Sequence, residues 1–143
     1  MKFLKRAKET SINRTKDDLK LVEKLSVINH PTTEEDKVLD YCLRHYHQGL
    51  LYYKQGEWSN AEKQWLKILK KMPNHVGDRL DILCRKQRRY KNEIDMLKAA
   101  IIYTKQTPVK EYQDSRSVEY RLEKAKQFYK KHNNEDESLD ITF

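Results

Sequence analysis

From Thr15 onward, apolar residues recur at steps of three and four with charged residues between them, the spacing of helices that bury one face. Residues 1–14 lack that period and are rich in Lys and Arg, which predicts a frayed basic arm ahead of the folded part. Thr15, with Asp18 three positions on, reads as a helix cap, and Leu19, Val22 and Leu25 then share a face to about Val27. The helix should stop before His30-Pro31. Thr32 and Thr33 are candidate caps for a longer helix reaching about Gln55, its first turn favoured by Glu34, Glu35 and Asp36. Gly56 supplies the reversal. Further helices are predicted over Ser59–Lys71, stopped by Pro73, then from about His75 to the Arg85–Arg89 run, and over Lys91–Lys105. A last stripe, Val118, Leu122, Ala125 and Tyr129, precedes an acidic tail at 133–143. The fold class is all-α: one domain over 15–132, with the basic arm before it and the tail after it.

Composition narrows this further. With three Gly and three Pro, the chain has few of the residues that tight strand-to-strand turns need. Cys42 and Cys84 lie far apart in apolar helical patterns, which fits free thiols in a reducing, cytoplasmic compartment. No apolar run is long enough for a signal peptide or a membrane span, so no membrane role is expected. The net charge of +8 keeps nucleic acid under consideration.

Residues 45–75 carry a more specific pattern: Gly49, Tyr52, Tyr53-Lys-Gln-Gly56, Trp58, Ala61, Trp65, Leu69 and Pro73. It resembles the tetratricopeptide (TPR) repeat, a helix-turn-helix unit of about 34 residues that stacks on its neighbours. The next stretch repeats the logic less faithfully, with Tyr90 in place of Trp58, Glu93 of Ala61, Leu97 of Trp65 and Ala100 of Ile68. The resemblance implies a right-handed TPR-like stack of about five antiparallel helices, its first and last helices acting as caps. It also implies a concave groove on the first helix of each unit. Carried onto this chain, the groove positions are Leu43, Tyr46, Leu50, Tyr53 and Lys54, then Asp81, Arg85, Arg88 and Arg89.

The expected function is a protein-interaction module, an adaptor whose mixed apolar and basic groove takes a protein or peptide partner, acidic segments being favoured by the arginines. Tyr46 and Leu50 stand where one subclass of the family uses Lys and Asn to clamp a terminal carboxylate, so that specialisation is not expected. The alternative is nucleic-acid binding by the basic Arg85–Lys91 cluster, with Tyr90 stacking on a base. No Gly-rich phosphate loop, nucleophile elbow or paired metal-ligand motif occurs, so the chain is read as a non-enzyme with no cofactor and no metal. Exposed ends of a short stack would let two copies pair as a homodimer. The tail carries Leu139, Ile141 and Phe143 among acids, and is complementary in character to such a groove.

Overall fold

A computed structural model describes residues 2–29, 33–107 and 113–135 of the chain, with side chains over 4–27, 33–107 and 113–132. Six helices follow one another: α1 (Lys2–Asn29), α2 (Glu34–Lys54), α3 (Trp58–Leu66), α4 (Pro73–Lys86), α5 (Tyr90–Gln106) and α6 (Arg116–Glu135). No strand occurs among the described residues, so the all-α expectation holds, with six helices where about five were expected. The helices fall into two compact units, residues 1–71 and 72–143.

In the first unit α2 packs against both α1 and α3. The basic stretch 2–14, read as a frayed arm, is instead continuous with the rest of α1. It contains no Gly or Pro, and its Lys, Arg, Glu and Ala are good helix formers, so nothing local stops the helix. Thr15 is therefore not a cap. It sits inside α1, almost fully buried, with its hydroxyl bonded back to the Ser11 carbonyl at 3.0 Å, as a mid-helix Thr can do. Leu19 is buried as expected, but Leu25 is 44% exposed.

Of the two candidate caps for α2, Thr33 is one, its hydroxyl accepting from the Asp36 backbone N–H at 3.1 Å; Thr32 lies outside the described residues. At the other end Gly56 adopts φ +81°. The Gly56 N–H bonds the Tyr53 carbonyl and the Glu57 N–H bonds that of Tyr52, the paired closure that satisfies the last carbonyls of a helix. Chain direction reverses there and α3 begins at once. α3 is shorter than predicted, ending at Leu66, and tighter i→i−3 bonds carry Ile68 and Lys71 onward. Ala61 and Trp65 are buried along α3, and Ile68 and Leu69 in the turns just after it.

In the second unit α4, α5 and α6 pack mutually. Pro73, expected to stop the preceding helix, is instead the first residue of α4, where its missing N–H costs nothing and its fixed φ suits the helix. The core is Val76, Leu80, Leu83 and Cys84 of α4, Ile94, Leu97 and Ala100 of α5, and Val118, Leu122 and Ala125 of α6. Before α6, the Asp114 carboxylate accepts from the Arg116 backbone N–H and side chain. That pairing holds Asp114 down to a pKa of about 2.

The α4–α5 turn repeats the α2–α3 turn thirty-two residues on. Gln87, Arg88, Arg89 and Tyr90 occupy the roles of Gln55, Gly56, Glu57 and Trp58, and the Arg88 and Arg89 N–H groups bond the carbonyls of Arg85 and Cys84. Arg88 accordingly takes φ +58° without being glycine.

Candidate interaction site

On α2 the positions Leu39, Leu43, Tyr46, Leu50 and Tyr53 advance by four, three, four and three residues, so they fall within an arc of about 80° on the helix. Leu43, Tyr46, Leu50 and Tyr53 are half-buried and Leu39 is 55% exposed. The flanks of this stripe are fixed by two contacts. One step round the helix on one side, Lys54 donates from Nζ to the Thr15 hydroxyl of α1 at 2.7 Å. One step round on the other, Gly49 lies under the Trp65 indole of α3, whose Nε1 donates to the Tyr46 carbonyl at 3.2 Å. The stripe thus runs between two flanking helices, and α1 lies beside it.

Gly49 permits this geometry. A Cβ there would come to 2.6 Å from Trp65 Cδ1, well inside contact distance. Trp65 is completely buried, and Tyr53 sits with its ring centroid 6.0 Å from Trp65 and 6.3 Å from Trp58. Tyr53 is therefore partly a packing residue, and Leu39 is the most exposed member of the stripe, with Leu43 and Leu50 half-buried beside it. Lys54 is engaged with α1.

The second set of sequence-derived positions behaves differently. Asp81 is 1% exposed, and faces into its own unit rather than into a groove. Arg85 donates to Glu93 Oε2 through Nη2 at 2.8 Å and Nε at 3.1 Å, and its guanidinium lies 5.3 Å from the Phe128 ring centroid. Its charge is matched inside the protein. Arg89 donates to the Gln87 side chain at 3.0 Å. Arg88, at the left-handed corner of the turn, is exposed. Tyr90, the residue suited to base stacking, packs against Phe128 with centroids 5.1 Å apart and against His132 at 4.8 Å. Lys91 pairs with Asp95 at 3.3 Å.

Sequence reasoning missed one arrangement, a charge cluster built by α4, α5 and α6 around two buried acids, Asp81 and Glu93. Arg121 donates to Asp81 Oδ2 at 2.8 Å and pairs with Asp78 at 2.7 Å, while Glu93, fully buried, carries Arg85. The signal was the register: Glu93 stands in the small Ala61's place and Asp81 in that of Gly49, thirty-two residues on. In the first unit Gly49 and Ala61 leave room for an indole. In the second, Leu97 replaces that indole and the two acids occupy the register instead.

Cys42 and Cys84 are both free and buried, and burial pushes the Cys42 thiol above its ordinary pKa, which makes it a packing group rather than a nucleophile. His45, spaced with Cys42 on one face, engages Gln64 through Nδ1 at 2.6 Å. No group of three His, Cys, Asp or Glu side chains able to hold a metal ion lies among the described residues, and none of the described helices is long and apolar enough to cross a membrane. The tail at 136–143 lies outside the described residues. No protein-family model, no curated protein and no solved structure matches this chain.

Proposed function

We propose that this chain is a non-enzymatic protein-interaction module of TPR-like build, and that the apolar stripe of α2 is where its partner docks. The observation that carries this reading is the run of aliphatic and aromatic side chains, Leu39 exposed and Leu43, Tyr46, Leu50 and Tyr53 half-buried, held in one narrow arc between two flanking helices. Side chains that are partly covered, rigidly backed and apolar suit the apolar face of a partner's helix or an extended segment with spaced apolar residues. The repeated turn and the close approach of Gly49 to Trp65 support the TPR-like reading of the hairpin. Docking in this scheme is driven by apolar contact. Arg85 is engaged inside its own unit by Glu93 and Asp81, and Arg88 is left as the exposed cation of that set. The free, buried thiols suit a reducing compartment such as the cytoplasm.

Tyr46→Ala combined with Leu50→Ala tests the proposal. Neither side chain is in the buried core, and the Tyr46 carbonyl that holds Trp65 is untouched. The double variant is expected to keep its helical circular dichroism and lose a partner captured by the unaltered chain by tenfold or more in affinity. Arg88→Ala is expected to bind that partner normally. Unchanged binding by the double variant overturns the reading.

A further inference from the structure

The buried acids of the second unit form a site that the docking surface does not use. Asp81 of α4 and Glu93 of α5 are both shut off from water. One oxygen of each accepts a hydrogen bond from an arginine: Arg121 donates to Asp81 Oδ2, and Arg85 donates to Glu93 Oε2. The other oxygen of each, Asp81 Oδ1 and Glu93 Oε1, is buried and receives no donor hydrogen bond from the described residues. Arg85 Nη2 pairs with both acids, with Glu93 Oε2 at 2.8 Å and with Asp81 Oδ1 at 3.8 Å, which brings the two carboxyls close together. Buried acceptors in such proximity are costly without a hydrogen, and a single hydrogen between them satisfies both. The charges agree. Asp78 and Asp81 are balanced by Arg85 and Arg121, so a neutral Glu93 leaves the cluster with no net charge and an ionised one leaves it one negative charge in excess.

We propose that Asp81 and Glu93 are a proton-binding site, one proton on Glu93 Oε1 donated to Asp81 Oδ1, and that losing this proton loosens α6 from the α4–α5 hairpin. The link to α6 is direct. Arg121 of α6 is bound to Asp81 and Asp78 of α4, and Phe128 of α6 lies against Arg85, which holds Glu93 of α5. His132 of α6 stacks on Tyr90 and lies tilted against Phe128 at the end of the same face. An unbalanced charge at Glu93 therefore repels Asp81 and competes for both arginines that tie the third helix down. Burial first, then the hydrogen bond and charge of Asp81, raise the Glu93 pKa to about 8, the range in which such a site would empty. A raised acid pKa means that the folded state holds a proton the unfolded state releases. The stability it contributes is complete below the ordinary carboxylate range and is lost as pH rises to about 8.

Carboxyl carbon NMR on the full unaltered chain, labelled at Glu and Asp and titrated across that range, tests this. One Glu carboxyl is expected to titrate near pH 8, and the backbone amides of Val118 to Leu122 to shift with the same midpoint. A chain whose Glu carboxyls all titrate near their ordinary value of about 4.3 overturns the proposal. Glu93→Gln keeps a neutral group with a donor. In the unaltered chain the unfolding constant in urea should rise by up to about tenfold per pH unit between these limits, and in Glu93→Gln that slope should vanish. A variant merely weakened at every pH, with the slope intact, contradicts the proposal. If Glu93→Gln does not fold, the titration of the unaltered chain decides alone.

Discussion

Arg88 pays a conformational cost that Gly56 does not. Both close the same type of helix-ending turn in the left-handed region, at φ +58° and +81°, but only glycine enters it without a Cβ penalty of about 1–2 kcal/mol. Arg88→Gly is expected to raise stability in urea by up to about 1 kcal/mol, and Gly56→Ala to lower it by about 1 kcal/mol. Gly49 answers to a different constraint, since its backbone is helical and the Trp65 indole fills the space its side chain would take. Gly49→Ala should therefore cost about 1–3 kcal/mol by overpacking. Adding Trp65→Leu should recover part of that loss when the two changes are compared in a double-mutant cycle, because the contact is shared. The second unit already carries Leu97 at that register, with acids at the positions of Gly49 and Ala61.

The helices were legible in the sequence where their apolar spacing was long and regular, as in α2 with its Thr33 cap and Gly56 turn. Their ends were less so, for physical reasons. The start of α1 was missed because residues 2–14 bury little and so lack an apolar period, although their helix propensity is high. Pro73 breaks a helix from inside but begins one at its first turn, and the spacing alone did not say which. Of the candidate site, the shared face of Leu43, Tyr46 and Leu50 on α2 was legible from helical spacing, whereas the partner of Arg85, Glu93, lies eight residues on in another helix and gave no local sign of the pairing. A charged residue at an otherwise apolar register position, here Glu93 ahead of Ile94 and Leu97, is the signal that would have found the buried cluster. Thr15→Val is expected to leave α1 helical while releasing Lys54, whose ammonium is held by that hydroxyl. A lysine-selective reagent should then label Lys54 faster in the variant.

Across the whole chain, two helical hairpins share one turn geometry and differ in what fills their interiors: an indole in the first, a charge cluster in the second. The first hairpin carries the apolar stripe, and in the second Arg85 and Arg121 are held by the acids Asp78, Asp81 and Glu93. That division favours an apolar docking face over a phosphate-binding one. Contacts to phosphate would make binding fall steeply with salt, whereas an apolar stripe would bind with little salt dependence. The most direct measurement is an amide chemical-shift titration of the isotopically labelled chain with a partner captured from its native cells, repeated at low and moderate salt. Shifts centred on Leu43, Tyr46 and Leu50 that persist at the higher salt are the predicted result. Shifts centred on Arg88 and the neighbouring lysines, vanishing as salt is added, would contradict it.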